Sequence, residues 1–456
     1  MAAQLIKNGK RPYLDFFFPQ TPLNAYWNAG WMRIFGDSWR IVHTVAALAT
    51  AGAALLTAQF VFILFPESPW RLAAALAAAL LVGLNELIVQ FGTLGQAYGL
   101  CLLLIVAAFR LAIHAVDRKS AGGALAAGFL ASAAAGCSLL AAPVAPVLLI
   151  WMLFENREGN RWRKLAAFLA GGAVPLLPVL ALAAQGLPQT VFNILKFHLF
   201  YRDAEWEGAT SQNLSVLFSW VDSSHALILG ALAFAGLIFT IRSELDRRRR
   251  AELYLCFWLA GALALYVSIA HPTFERYYLL AVPFLAIPAA VGLYEMSARL
   301  YSAERPLGPL LALTMLLCLG LGKSLYERHE LDNYSWPELE KIAQKIDQVT
   351  PPGASLFADE HFYFLTRRPP PSGTEFVDGQ KLNLPPALSQ SLHIVPRKEW
   401  AGRIQAGMFS TIQTCRDADD ERFQVLGVPP LYRQKAVMQD CTIFWDFAAS
   451  RTPTGY

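Results

Sequence analysis

Ten apolar stretches separated by short polar or charged turns fill most of the chain between residues 41 and 323: 41–65, 72–89, 97–114, 121–137, 139–154, 165–184, 226–241, 253–270, 277–296 and 307–322. Several approach the roughly 20 residues a helix needs to cross about 30 Å of hydrocarbon, and others are a turn short. Lipid offers no partner to a backbone amide or carbonyl, so each stretch predicts a helix. Ahead of them, Leu23, Tyr26, Trp27, Gly30, Trp31, Ile34 and Phe35 recur at helical spacing and predict an interfacial helix with an aromatic face. Beyond residue 323 the pattern changes. A charged helix at about 337–349 is stopped by Pro351, Pro352 and Gly353. Short apolar runs at 355–358, 393–395, 411–415 and 442–445 then alternate with helical stretches at 398–406 and 417–426.

The expected fold is therefore an α-helical polytopic membrane protein of about ten transmembrane helices with a small C-terminal extracytoplasmic α/β domain. Its divisions are residues 1–40, a first extracytoplasmic loop with the interfacial helix; 41–323, the membrane domain; and 324–456, the C-terminal domain. Composition agrees, because 55% hydrophobic and 16% charged residues are too apolar for a soluble chain of this length.

Charge placement sets the orientation. Alternate turns carry Arg71; Arg118 and Lys119; Arg157, Arg161, Arg163 and Lys164; Arg242 and Arg247 to Arg250; and Arg299 and Arg305, fourteen cations against three, Lys196, Arg202 and Arg276, in the turns between them. Lys and Arg collect on the cytoplasmic side. The Arg247 cluster is thus expected inside, and residues 1–40, the 185–225 segment and everything after residue 322 outside. The N-terminal segment is discordant, since it carries Lys7, Lys10, Arg11, Arg33 and Arg40 with no hydrophobic stretch ahead of it. The net charge of +4 is spent on these topology signals, which excludes a nucleic-acid reading.

Polar residues with chemical potential concentrate in the outer segments. Asp15, among Tyr13, Phe16, Phe17 and Phe18, could serve as a general base whose pKa apolar neighbours raise, or could be a solvated turn residue. Lys196, His198 and Arg202 lie on an expected helix at 191–201 in the long outer segment and could stabilise a phosphate. Arg276 opens a late apolar stretch beside Tyr277, either as an anion clamp or as an interfacial anchor. Glu86, near the outer end of the second stretch, is a lesser candidate. No zinc pattern, P-loop, dinucleotide fingerprint or nucleophile elbow occurs in a credible context. Cys101, Cys137, Cys256 and Cys318 fit apolar packing, whereas Cys415 and Cys441 could form a disulfide in an oxidising compartment.

A run from Ala and Leu through Gly and Pro-Tyr to Asp, carried by Ala2 to Asp15 and followed by Gln20 to Leu23, resembles the polyprenyl-phosphate-sugar-dependent glycosyltransferases of the GT-C superfamily. So does the Arg276-Tyr277 pair opening a helix with Pro283 and Pro288. The nearest branch is that of bacterial proteins similar to protein O-mannosyltransferases and lipid A aminoarabinose transferases, and the likeness spans essentially the whole chain. It implies a plasma (inner) membrane enzyme that moves a hexosyl or pentosyl group from a polyprenyl-phosphate sugar to a hydroxyl of a lipid, glycan or protein acceptor. Asp15 would be catalytic, with Lys196, His198, Arg202 and Arg276 facing the donor phosphate and Tyr13, Glu86 and Tyr277 accessory. A divalent metal is left open, with Asp15 and His198 as the residues that could ligate it.

Such proteins usually begin with a transmembrane helix followed by an acidic pair, and this sequence starts after that point. Further residues upstream, or a degenerate copy, are therefore expected. Asp15 would then be the second carboxylate of its loop, placed to bind a metal or position the acceptor. The rival readings are a transporter or flippase of lipid-linked saccharides, and a catalytically inactive truncated homologue; polar residues gathered in outer segments rather than at the membrane midplane favour surface chemistry.

Overall fold

The structure, a computed structural model, describes residues 1–155, 161–202, 209–243, 245–270, 272–300, 306–331, 335–376, 382–415 and 431–448. Within them seven helices are long and apolar enough to cross a membrane: Trp39–Leu64, Tyr98–Asp117, Arg161–Gln185, Ser224–Arg242, Arg247–Ile269, Glu275–Arg299 and Leu307–Glu327. Three shorter apolar helices, Arg71–Gly83, Ala121–Cys137 and Leu139–Glu155, stand among them. The chain is a multi-pass membrane protein. Its long outward-facing apolar side chains, such as Leu48, Leu55, Phe234, Trp258 and Leu319, are exposed because lipid is their solvent.

The expected second span differs. Its helix ends at Gly83, and Asn85 caps a separate short helix, Glu86–Phe91, by accepting a hydrogen bond from the Ile88 amide at 3.4 Å. An Asn side chain that offers the backbone an alternative partner ends one helix and starts another. Glu86 therefore opens a short helix instead of ending a span.

Close helix approaches rest on small residues. A β-carbon on Gly236 would come within 2.0 Å of the Pro288 carbonyl oxygen, and one on Gly292 within 2.3 Å of that of Leu232. Ser224–Arg242 and Val282–Leu300 thus meet backbone to backbone, which in lipid gains dispersion contacts no larger residue would allow.

The Tyr98–Asp117 and Arg247–Ile269 helices fix two ends of the bundle. At one end Arg248 pairs with Asp117 at 2.7 Å and Glu252 at 3.0 Å, and Arg247 with Glu155 at 3.5 Å. At the other, about 30 Å away along the helices, the N-terminal segment, residues 185–202 and the C-terminal domain gather. Phe17 shows this in one residue, with its ring against Phe192, Phe197 and Phe376.

The helix expected ahead of the membrane domain forms over Leu23–Phe35, with the rings of Trp27, Trp31 and Phe35 in a row along one side. Asn28 on its inner side donates to the Gly95 carbonyl at 3.0 Å and ties the helix to the turn before Tyr98.

The C-terminal domain opens with the helix Trp336–Val349, where Glu338 accepts from both the amide and the hydroxyl of Ser335, each at 2.7 Å. A four-stranded sheet follows: β1 (Leu356–Phe357), β2 (Thr411–Thr414), β3 (Tyr432–Met438) and β4 (Cys441–Phe447), in the order β1-β2-β4-β3. β1 runs parallel to β2, and the other pairs are antiparallel. The short helix Arg397–Gln405 matches expectation; the helical stretch expected at 417–426 lies outside the described residues. Cys415 and Cys441 form a disulfide with their Cα atoms 3.8 Å apart. The register explains it, since Thr414 pairs with Thr442 and the next pair outward is Cys415 with Cys441.

Candidate active site

Arg276 sits in a 3-10 turn, Glu275–Ala281, that leads into Val282–Leu300. The approach to that turn is held rigidly. Asn213 donates to the carbonyls of Ser268 at 3.2 Å and Ala270 at 2.7 Å and accepts from the Thr273 amide at 2.9 Å, while the Thr273 hydroxyl donates to Val267 at 2.8 Å. The half-buried Arg276 guanidinium lies over the Phe274 ring at 4.3 Å, with the rings of Phe91 and Tyr277 at 5.9 and 5.8 Å. Such stacking holds a cation while leaving its N–H groups available.

Arg202 arrives from the other side. The expected 191–201 helix forms as an α-helical turn, Leu187–Val191, followed by a π-helix, Phe192–Tyr201. Bonds from i to i+5 stack residues five apart, so the buried Phe192 and Phe197 lead to Arg202, and the buried Asn193 leads to His198. Arg202 donates to the Tyr277 hydroxyl and lies 5.7 Å from that ring's centre. Tyr98, at the head of its helix, is buried within electrostatic reach of both guanidinium groups. Two arginines and two tyrosine hydroxyls thus converge, and among the described residues neither arginine has a carboxylate partner. That arrangement suits an anion with several oxygens.

The other expected residues have surroundings of their own. Lys196 lies exposed on the π-helix, with Leu195, Leu199 and Phe200 exposed beside it. His198 packs edge-on against Phe197. Glu86 lies 3.7 Å from His225 Nδ1, too far for a hydrogen bond, and accepts from Gln90 at 3.2 Å. It opens the short helix whose last residue, Phe91, meets Arg276.

Asp15 is not the desolvated base its aromatic neighbours suggested. Its carboxylate accepts from the Arg11 amide at 2.7 Å, from Nε at 3.0 Å and from Nη2 at 2.8 Å, and Arg11 also donates to Gln185. The Arg11 hydrogen bonds hold its pKa below the ordinary value, outweighing partial burial. Phe16, Phe17 and Phe18 turn the other way, into the packed interior. Tyr13 goes with them, with positive φ (+69°) and its hydroxyl donating to the Gln20 carbonyl at 2.7 Å, so it is a packing residue.

Among the described residues, no group of three metal-ligating side chains forms around Asp15 or His198. The group that does assemble among the described residues is Asp359, His361 and Cys415, whose ligand atoms lie within 4.8 Å of one another. Cys415 is at present committed to its disulfide.

Tyr98 and Asn213 were not singled out from sequence. Tyr98 carried one signal, a tyrosine opening an apolar stretch on the expected outer side.

By sequence, no family model and no curated protein matches the chain. Solved structures do match. ArnT from Cupriavidus metallidurans bound to undecaprenyl phosphate superposes with a TM-score of 0.62 at 14% identity over 97% of this chain and 91% of that one. The chain has the GT-C fold. A second GT-C protein, the oligosaccharyltransferase of Archaeoglobus fulgidus in complex with Zn and sulfate, gives 0.56 at 15% identity over 94% of this chain and 64% of that one. The same archaeal protein, AglB, with an inhibitory peptide and a dolichol-phosphate gives 0.52 at 12% identity over 100% and 70%. At these identities the likeness is one of fold, and it bears out the GT-C resemblance of the sequence. Within the GT-C fold of this chain, Arg202, Arg276, Tyr98 and Tyr277 stand at the end of the bundle that carries the N-terminal segment and the C-terminal domain.

Proposed function

We propose that the chain is a membrane glycosyltransferase that moves a sugar from a polyprenyl-phosphate donor to an acceptor hydroxyl on the extracytoplasmic face. The observation that carries this reading is the pair of arginines, Arg202 and Arg276, that have no carboxylate partner among the described residues and are braced by Tyr277 and aromatic rings. Support comes from the shared fold, since ArnT was solved bound to undecaprenyl phosphate and AglB in complex with an inhibitory peptide and a dolichol-phosphate.

In this mechanism the acceptor oxygen attacks the anomeric carbon, its proton passes to a base, and the bond from that carbon to the phosphate oxygen breaks. The polyprenyl phosphate leaves with the bonding pair. Direct displacement inverts the anomeric centre. Arg202 and Arg276 stabilise the charge that grows on the leaving phosphate, a contribution worth about 10²–10³ in rate for a single well-aimed donor. Asp15, kept ionised by Arg11, is a weak base and is assigned to acceptor positioning. The exposed Leu195, Leu199 and Phe200 offer the prenyl chain an apolar approach.

The test is transfer from a radiolabelled polyprenyl-phosphate sugar by purified protein in lipid vesicles. Donor-dependent transfer that collapses in Arg202→Ala and Arg276→Ala supports the reading. Translocation of the labelled lipid across the vesicle without transfer would replace it with a flippase.

A further inference from the structure

The C-terminal domain holds a second group of chemically capable side chains, unconnected to the arginine pair. Asp359 precedes the short helix Glu360–Thr366 and His361 lies in its first turn, while Cys415 follows β2. Their ligand atoms lie within 4.8 Å of one another. A tetrahedral zinc ion with bonds of about 2.0–2.3 Å separates its ligands by roughly 3.5 Å, so a movement of about an ångström closes the set.

Two further observations suit a ligand here. The Nε2 atom of His361 is buried and has no hydrogen-bond partner among the described residues. Gln413, only 1% exposed, braces the other two ligands at once: its Nε2 donates to Asp359 Oδ2 at 3.3 Å and to Cys415 Sγ at 3.0 Å, and its Oε1 accepts from the Asp359 amide at 3.0 Å. Outer partners of this kind orient metal ligands.

The obstacle is the Cys415–Cys441 bond, because a disulfide sulfur lacks the thiolate charge that binds zinc. The sulfur nonetheless already sits in place. We propose that Asp359, His361 and Cys415 form a redox-gated site for a zinc-like divalent cation, closed while Cys415 is bonded to Cys441 and opened when a dithiol reduces that bond. Reduction converts the disulfide to two thiols and oxidises the dithiol to its own disulfide. Cation binding then displaces the proton of the Cys415 thiol to solvent, and the neutral His361 imidazole and the Asp359 carboxylate complete the set.

Cobalt(II) is the probe, read by its thiolate-to-metal absorption on full-length protein in detergent, with the double variant Cys415→Ser/Cys441→Ser as a blank that retains the four other cysteines. Oxidised wild type should match the blank. Phosphine-reduced wild type, and Cys441→Ser without reductant, should each show the absorption at one equivalent of cobalt. Adding His361→Ala or Asp359→Asn to Cys441→Ser should weaken binding at least tenfold. The proposal fails if reduced wild type that still melts cooperatively gives the blank spectrum, if the oxidised protein binds equally well, or if removing His361 and Asp359 changes the affinity less than twofold.

Discussion

Arg202 hydrogen-bonds the hydroxyl of Tyr277, a residue 75 positions away that begins a different membrane helix. Tyr277 in turn neighbours Arg276, so one ring fixes the spacing of both guanidinium groups. Tyr277→Phe keeps the ring and removes the brace. Lipid-phosphate affinity should fall about tenfold, the worth of one hydrogen bond to a charged group, whereas Arg202→Ala should lower the transfer rate by 10²-fold or more. Titration with undecaprenyl phosphate and initial-rate measurements separate the two effects.

The Arg11–Asp15 clasp has a defined pH signature. Because the folded pKa of Asp15 lies below its ordinary 3.8, the clasp adds stability at pH values above that figure and loses it as pH falls through the lowered folded value. Asp15→Asn should melt earlier than wild type at pH 7, and the two melting temperatures should converge in acid. Equal melting at pH 7 would show that the clasp adds nothing to stability.

Glu375 has the opposite sign. Its side chain is buried, Oε2 accepts from the Gly373 amide at 2.6 Å, and Lys10 approaches Oε1 only to 4.0 Å. Burial raises its pKa above the usual carboxylate value, so the stability tied to its protonation is present at low pH and lost as pH rises through the folded value. Glu375→Gln should therefore raise the melting temperature at pH 8 and leave it nearly unchanged at pH 4.

The cross-strand disulfide closes a 26-residue separation that includes β3. In the chain-entropy description such a loop is worth about 3.5 kcal/mol. Replacing both Cys415 and Cys441 by Ala should lower the unfolding midpoint of the C-terminal domain without changing donor binding at Arg202 and Arg276. Denaturant titration followed by tryptophan emission, paired with lipid-phosphate binding, checks both halves.

Tyr98 owes its position to the glycine after it. A β-carbon on Gly99 would lie 2.5 Å from the Gly92 carbonyl oxygen and 2.6 Å from that of Ala46, both backbone atoms. Gly99→Ala should displace Tyr98 and reduce lipid-phosphate affinity while the protein remains folded, a pattern read by binding and melting on one preparation.

The long apolar stretches were legible because length and composition alone decide whether a segment can live in lipid, and the Leu23–Phe35 helix because its aromatic residues repeat at helical spacing. The break at Asn85 was not, since a capping side chain looks polar without announcing that the helix restarts. The π-helix was also hidden: α and π turns differ in which carbonyl an amide reaches, not in residue type, and that difference carries Arg202 to Tyr277. For Asp15 the decisive partner, Arg11, stood four residues upstream, yet the adjacent rings carried more weight than the cation. The convergence of Tyr98 with Arg276 joins distant segments through packing, and no local pattern encodes it.

Phe17 lies against rings from two other segments, Phe192 and Phe197 of the π-helix and Phe376 of the C-terminal domain. Three stretches far apart in sequence therefore share one keystone, and none can lift away without leaving the other two with a void. Hydrogen exchange at this end of the molecule will consequently report a single opening event, with the amides around Phe17, along 192–201 and next to Phe376 becoming accessible together.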